Sequence, residues 1–367
     1  MINSKSTLNL LTKLVETPSM YPNERKISGV VENELTKRGF KVVNQKVSEG
    51  RTNLFASKGK RGNILFYGHL DTVPVVNSEK WATNPFKLTV RGHKAYGLGA
   101  SDMKGGISAF LEASTNSDAP VKIFLAIDEE NISEGAWKAV SERKEFFKNV
   151  DLIISAEPSF GLGLNGITTS RTGRCLFDVT FKGRPEHIIN YKNAVDSLKK
   201  LVNFGHDMYA KRDQIFKSRD SVAQLRKVSG ESIGMSVCGE ASAEIEMILG
   251  AEDNITSVLK KLQSLTSDKI EIKKRKTPYL EGYSFDHFPH KELISKIIKK
   301  STGKAMKLHK RKSVGDDNVL ATLKIPVLTW GAEGGNEHTA NEYVVFGSLI
   351  ILANMYKSLL DGAAKEK

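Results

Sequence analysis

Cysteine is nearly missing from this 367-residue chain: Cys175 and Cys238 are its only two, at no metal-binding spacing. That excludes a disulfide framework and a cysteine-built zinc site, and it suits a reducing compartment, the cytoplasm. Long apolar runs are missing as well. None reaches the roughly 18 residues that span a bilayer, so no membrane partner is expected. The opening residues, MINSKSTLNLLTKLVE, have neither a continuous apolar core nor a small-residue cleavage site, and they read as an amphipathic helix. Negative charge is in short supply: 42 Asp and Glu face 55 Lys and Arg, a net charge of +13. Most of the imbalance falls in residues 257–312, where 16 basic side chains stand against 5 acidic ones, concentrated in KKRK, KIIKK and KLHKRK. Aromatics are sparse among those lysines and no nucleic-acid motif accompanies them, so nucleic acid is not the expected partner. A solvated basic face accounts for the segment; as a functional feature it would attract an anionic substrate or an acidic protein.

The remaining composition, 40% hydrophobic and 26% charged, is that of a globular protein, with no internal repeat. Over the first 165 or so residues strand and helix patterns alternate. ISGVVENELTKRGF and SDMKGGISAFLEAS have helical character, whereas FKVVNQKV, NLFASKG, NILFYGHLDTVP, VKIFLAID and VDLIISAEPS read as strands. After Gly161 the character changes. CLFDVTFKG and ASAEIEMIL alternate with period two, NAVDSLKKLVNFGHDMY and NITSVLKKLQSL are amphipathic, and KIEIKKRK reads as a strand. A β-α-β-β-α-β order predicts a separate small α+β domain. Helix KELISKIIKKSTG, strand PVLTWGA and a closing helix EYVVFGSLIILANMYKSLL then return to the first pattern. The expected division is 1–169 and 278–367 for an α/β domain with a central mixed sheet flanked by helices, and 170–277 for the inserted one.

Chemistry collects where the strands end. In an open α/β sheet ligands bind beyond the carboxyl ends of the strands. His69 and Asp71 lie in GHLDTVP, Asp102 in GLGASDMKGG, Glu157 in SAEPS and His338 in GGNEHTANE. The stretch LAIDEENISEGA ends an apolar run in three consecutive acids, Asp128, Glu129 and Glu130. Like charges at the end of a buried strand repel and are costly to desolvate, so something cationic should meet them. Each piece alone has a plainer account: acids favour a helix N-terminus, and a Ser or Asp caps a helix. Together, two imidazoles and several carboxylates at one rim suit zinc or another divalent ion.

Five motifs, GHLDTVP, GLGASDMKGG, DEENISEGA, SAEPS and EHTANE, in that order, make the chain resemble the M20 family of co-catalytic metallopeptidases and deacylases. The resemblance implies a zinc-peptidase-like catalytic domain with an inserted ferredoxin-like lid and dimerisation domain, hence a homodimer. It also implies two divalent ions per subunit, Zn2+ with Co2+ or Mn2+ as alternatives. By resemblance, His69 and Glu157 serve one ion, Glu130 and His338 the other, and Asp102 bridges both. Asp71 would orient the His69 ring, Glu129 would be the general base for a water shared by the ions, and His187 would reach the partner subunit's site. Adjacent residues of an extended segment face different ways, so Glu130 can face an ion while Glu129 faces the water. Asp128 is left to local structure.

The implied activity is hydrolysis of an amide bond in an N-acylated amino acid, of the deacetylase or desuccinylase type. A carboxypeptidase or dipeptidase is the first alternative. A hydrolase releasing lysine or ornithine from an acidic carrier protein is another. The expected substrate is small and anionic. The family's carboxylate clamp does not carry over: Ser236 and Gly239 replace an expected asparagine and proline, and no arginine stands near Met247. Arg171, Arg174, Arg226 and the basic 257–312 segment are candidate substitutes. In KSVGDDNVLA, which departs from the common G-T-S-D form, Asp316, beside Asp317, and Asn318 are further substrate-pocket candidates.

Overall fold

The structure is a computed structural model that describes residues 2–366. By their internal contacts the residues divide into two units. One comprises Met1–Thr169, Phe285–Lys310 and Gly315–Lys367; the other comprises Ser170–Ser284 and Arg311–Val314.

In the first unit the strands run in the spatial order Lys41–Ser48, Arg51–Lys58, Val121–Ala126, Ile64–His69, Leu152–Ser155, Val327–Thr329, Gly166–Arg171. Four neighbours, Val121–Ala126 through Val327–Thr329, are parallel. Those on either side pair antiparallel, so the sheet is mixed. The sequence explains the arrangement. ILFYGH and LIIS are buried throughout, as strands covered on both faces must be. Because the four strands are parallel, Ala126, His69, Ser155 and Thr329 end at the same edge of the sheet. Helix Lys104–Thr115 is buried along almost its whole length and packs against Ile64–His69 and helices Ser4–Val15 and Phe346–Ala363. Aromatic rings fill the layer between: Phe66 stacks on Phe110 with centroids 5.4 Å apart and tilts against Tyr356 at 4.9 Å.

Two glycines let this packing close. A Cβ on Gly106 would stand 2.0 Å from the Ala156 carbonyl oxygen, and one on Gly331 would stand 1.8 Å from that of Glu157. Residues 156 and 157 are thus pressed between a helix and a neighbouring strand end. A small sheet of Gly334–Gly335, Tyr343–Val345, Lys94–Tyr96 and Thr89–Arg91 carries the loop that bears His338.

The second unit is a four-stranded antiparallel sheet in the order Val222–Gly230, Glu240–Leu249, Gly173–Lys182, Ile270–Ile272, with helices Ser197–Ala210 and Ile255–Gln263. Along the chain this is β-α-β-β-α-β, with one extra turn of helix at Arg212–Ile215. Phe177, Phe181, Phe204, Met208, Ile245, Met247 and Val258 form its core.

Several expectations need correction. The β-α-β-β-α-β order calls for a strand at Val222–Gly230, but no segment stands out there in the sequence, because this is an edge strand whose residues are mostly exposed. KIEIKKRK is a strand only over Ile270–Ile272, since the lysine run beyond it has no apolar side chain to bury. The closing helix starts at Phe346; Tyr343–Val345 is a strand paired with Lys94–Tyr96. Among the described residues no helix is long and apolar enough to cross a membrane.

Candidate metal centre

Five segments bring their acids and imidazoles together at the carboxyl edge of the parallel strands. His69 is the last residue of its strand and is 1% exposed. Its Nε2 lies 3.1 Å from Asp102 Oδ1 and 3.9 Å from Glu157 Oε1. The other oxygen of Asp102 lies 3.4 Å from His338 Nε2, which in turn is 3.1 Å from Glu130 Oε1. Two donor triads result, His69–Asp102–Glu157 and Asp102–Glu130–His338, each with its ligand atoms within 4.8 Å of one another. Asp102 belongs to both. Glu129 joins His69 and Glu130 in a third grouping.

The backbone around these groups is held by carboxylates that are not themselves among the triads. Glu342, 1% exposed, accepts the backbone N–H groups of Gly99, Ser101 and Asp102 at 2.8–2.9 Å. Ser101 Oγ donates to Glu337 at 2.7 Å, tying the same turn to the residue before His338. The Asp71 carboxylate accepts the Glu130 N–H at 3.0 Å, and its carbonyl oxygen is 3.0 Å from His69 Nδ1. Asp71 therefore steadies both the His69 ring and the acidic turn.

That turn is where the extended-segment expectation fails. The strand stops at Ala126, Asp128 adopts φ of +75°, and Glu129 and Glu130 sit in a turn. Helix Glu134–Glu142 follows and donates its first N–H to Asp128 Oδ2 at 3.0 Å. Asp128 faces away from the imidazoles toward Arg51, whose Nη2 reaches its Oδ1 at 2.8 Å. The cation met by Asp128 is thus a side chain 77 positions upstream, and no local sequence signal marked it. Glu24, Arg51 and Glu342 are the residues sequence reasoning missed; only Glu342 lay inside a recognised motif.

Electrostatics follow from crowding. Burial and the neighbouring Glu157, Glu130 and Asp316 push Glu129 well above the usual carboxylate range, against the opposing effect of His69. Burial would raise Asp102 too, but hydrogen bonds from His338 and His69 hold it well below that range. Burial disfavours a charged His69, yet Asp102, Glu129 and Asp71 keep its pKa well above the ordinary value. Asp102 and Glu130 raise His338 to about 10. So many acids converging with two imidazoles form a donor set that fits a pair of divalent cations with nitrogen and oxygen preference.

Of the remaining candidates only Asp316 stands close enough to Glu129, His69 and Asp71 to act on their charge. Asp316 is fully buried, accepts from Tyr67 Oη at 2.7 Å, and burial pushes its carboxyl up to about 7. Asn318 Oδ1 accepts the Gly315 N–H at 3.0 Å. In the second unit, Arg174 is ion-paired with Glu246 at 2.7 Å, Arg226 lies 3.4 Å from Glu244, and Arg171 is buried. His187 is exposed and makes an isolated β-bridge with Ser236.

Comparison with known proteins places these features. The model of peptidase family M20/M25/M40 matches residues 65–362. Succinyl-diaminopimelate desuccinylase of Buchnera aphidicola subsp. Cinara cedri is 26% identical over 97% of this chain and 98% of its own length. The enzyme of the same name from Orientia tsutsugamushi strain Ikeda is 27% identical over 98% and 97%. Among solved structures, aminopeptidase PepT from Bacillus cereus superposes with a TM-score of 0.80 at 18% identity, covering 99% of each chain. The Bacillus subtilis YXEP protein, described as a dinuclear metal-binding peptidase, gives 0.74 at 16%, again over 99% of each. The fold is the one these structures share.

Proposed function

The chain belongs to peptidase family M20/M25/M40 and is a metal-dependent amide hydrolase; from that premise we propose that it cleaves the amide bond of a small, anionic N-acyl amino acid. One observation carries the reading. The two oxygens of Asp102 reach two different histidines, and each histidine has a second carboxylate of its own. His69 and Glu157 would hold one divalent cation and Glu130 and His338 the other, with Asp102 between them. Zn2+ suits the donors best, with Co2+ and Mn2+ next. Such a pair of cations supplies polarisation of the amide carbonyl and acidification of water.

The chain's own residues do the rest. Glu129, next to the Glu130 ligand and within ligand distance of His69, takes the proton of the attacking water and delivers it to the leaving amine. Asp71 holds the His69 ring and the Glu130 backbone in register. The products are a carboxylate and a free amine.

The desuccinylase names of the relatives support an amino-acid biosynthetic substrate carrying a dicarboxylic acyl group. The basic excess over residues 257–312 supports an anionic one, and it equally supports an acidic carrier protein bearing lysine or ornithine. The peptidase neighbours keep a peptide substrate as the second reading. A homodimer is supported by the second unit. Ile189 and Ile233 are each 82% exposed there, beside Ile188 and Met235, which are joined by a 2.7 Å backbone hydrogen bond. His187 stands in that apolar patch, as a residue serving a partner subunit would. Two free, buried cysteines are consistent with the cytoplasm.

The test is a hydrolysis screen with Zn2+, Co2+ or Mn2+ added, using N-succinyl-diaminopimelate, N-acetylornithine, N-acetylmethionine and simple dipeptides. Turnover of an acyl amino acid supports the reading. Turnover of dipeptides alone transfers it to the peptidase branch.

A further inference from the structure

We propose that Arg51 is a positioning residue for the general base Glu129, acting through Asp128. This rests on the reading of Glu129 given above. Arg51 opens its strand and is 6% exposed. Its Nε and Nη2 donate to Glu24 Oε2 and Oε1 at 2.8 and 2.5 Å, and Nη2 also donates to Asp128 Oδ1 at 2.8 Å. The ring of Tyr21 lies against the guanidinium, 4.5 Å from its carbon. Glu24 and Asp128 are both fully buried. One guanidinium thus serves two buried carboxylates at once, from opposite parts of the chain.

The cluster bears on catalysis because of where Asp128 stands. It immediately precedes Glu129, and its backbone is in the left-handed region, φ +75°. That unusual torsion is closed by its own contacts. Its carbonyl oxygen accepts the Ser133 N–H at 2.8 Å, its Oδ2 accepts the Glu134 N–H at 3.0 Å, and its Oδ1 accepts from Asn131 and Arg51. On the other side of Glu129, the Glu130 N–H is tied to Asp71 at 3.0 Å. Glu129 thus sits between two anchored backbone points, the Asp128 carbonyl and the Glu130 N–H. Its direction is therefore set by its backbone, which is pinned at both ends. Asp71 supplies one pin and the Arg51–Asp128 pair the other. A lysine could neutralise Glu24 or Asp128, but without the planar fork it could not hold both at once.

A base displaced by about 1 Å loses on the order of a hundredfold in rate. The metal-loaded Arg51→Lys variant is therefore expected to lose ten- to a hundredfold in kcat per metal-filled site, on whichever of N-succinyl-diaminopimelate and N-acetylornithine the wild type cleaves faster. KM should stay within about threefold and metal content unchanged. Asp128→Asn should lose a similar factor, and the Arg51→Lys/Asp128→Asn double variant no more than the larger single loss, because the two residues act in one line. In Arg51→Ala, guanidinium ion at tens of millimolar should restore part of kcat where ammonium does not. If Arg51→Lys keeps kcat within twofold, or if the single losses multiply in the double variant, the positioning role is wrong. A loss that follows metal content or KM alone assigns Arg51 to stability only, which also overturns it. Glu129→Gln is the control: if it retains turnover, it is the reading of the base that fails, whatever Arg51 does.

Discussion

His338 Nε2 lies 3.1 Å from Glu130 Oε1, although 208 positions separate the two residues. The distance exists because Glu130 follows one parallel strand and His338 rides on a loop anchored by the small sheet through Tyr343–Val345. Asp102, 3.4 Å from the same nitrogen, links this pair to His69.

The arrangement predicts two divalent ions per chain, with unequal dependence on their donors. His338→Ala should retain about one ion, because the His69–Asp102–Glu157 triad is left whole. Elemental analysis after dialysis checks this. Two tightly held ions in that variant would remove His338 from the centre.

Binding those ions should expel protons. The surrounding acids push His338 up to about 10 and His69 well above its ordinary value, and both rings must give up a proton to ligate. The sign follows: affinity strengthens as pH rises and levels off only above about pH 10, where His338 has already lost its proton. Calorimetry in buffers of different ionisation enthalpy should detect net proton release at pH 7. Affinity unchanged between pH 6 and 8 would contradict this.

Replacing Glu129 by Gln keeps the shape and removes the base. A fall in kcat of about 10²–10⁴-fold is expected, with both ions retained. The measurement is kcat alongside metal content on the same preparation.

The glycines that press on residues 156 and 157 are expected to tolerate no side chain. Gly331→Ala would place a methyl group 1.8 Å from the Glu157 carbonyl oxygen, with backbone on both sides. Overpacking of this kind costs about 1–3 kcal/mol. Because Glu157 must shift to relieve it, metal affinity should fall together with Tm. Gly347→Ala, where nothing stands within 4 Å, is the silent comparison.

The apolar patch of the second unit predicts association. Ile189→Asp combined with Ile233→Asp should move the protein from a dimer toward the 40.5 kDa chain in light scattering. A wild type already monomeric at micromolar concentration would refute the dimer.

Strand ends were legible as chemistry because apolar runs such as ILFYG and VKIFLA stop at histidine and acid, and the five motifs came in a recognisable order. The partner of Asp128 was not legible. Nothing near LAIDEE names Arg51, and an arginine opening a strand reads as a surface charge. The edge strand Val222–Gly230 was hidden for the opposite reason: with little of it buried, it leaves no apolar period to detect. Arg174 illustrates a third limit, since its pairing with Glu246 depends on strand register.

The sequence by itself determined which side chains could do this chemistry and that they would emerge at strand ends, because burial imposes a hydrophobic period that any chain must display. Only the tertiary structure decided which cation meets Asp128 and how the turn that carries Glu129 and Glu130 is held. That choice follows from one left-handed torsion at Asp128, closed by hydrogen bonds to residues near and far, and contacts of that range leave no periodic mark on the chain.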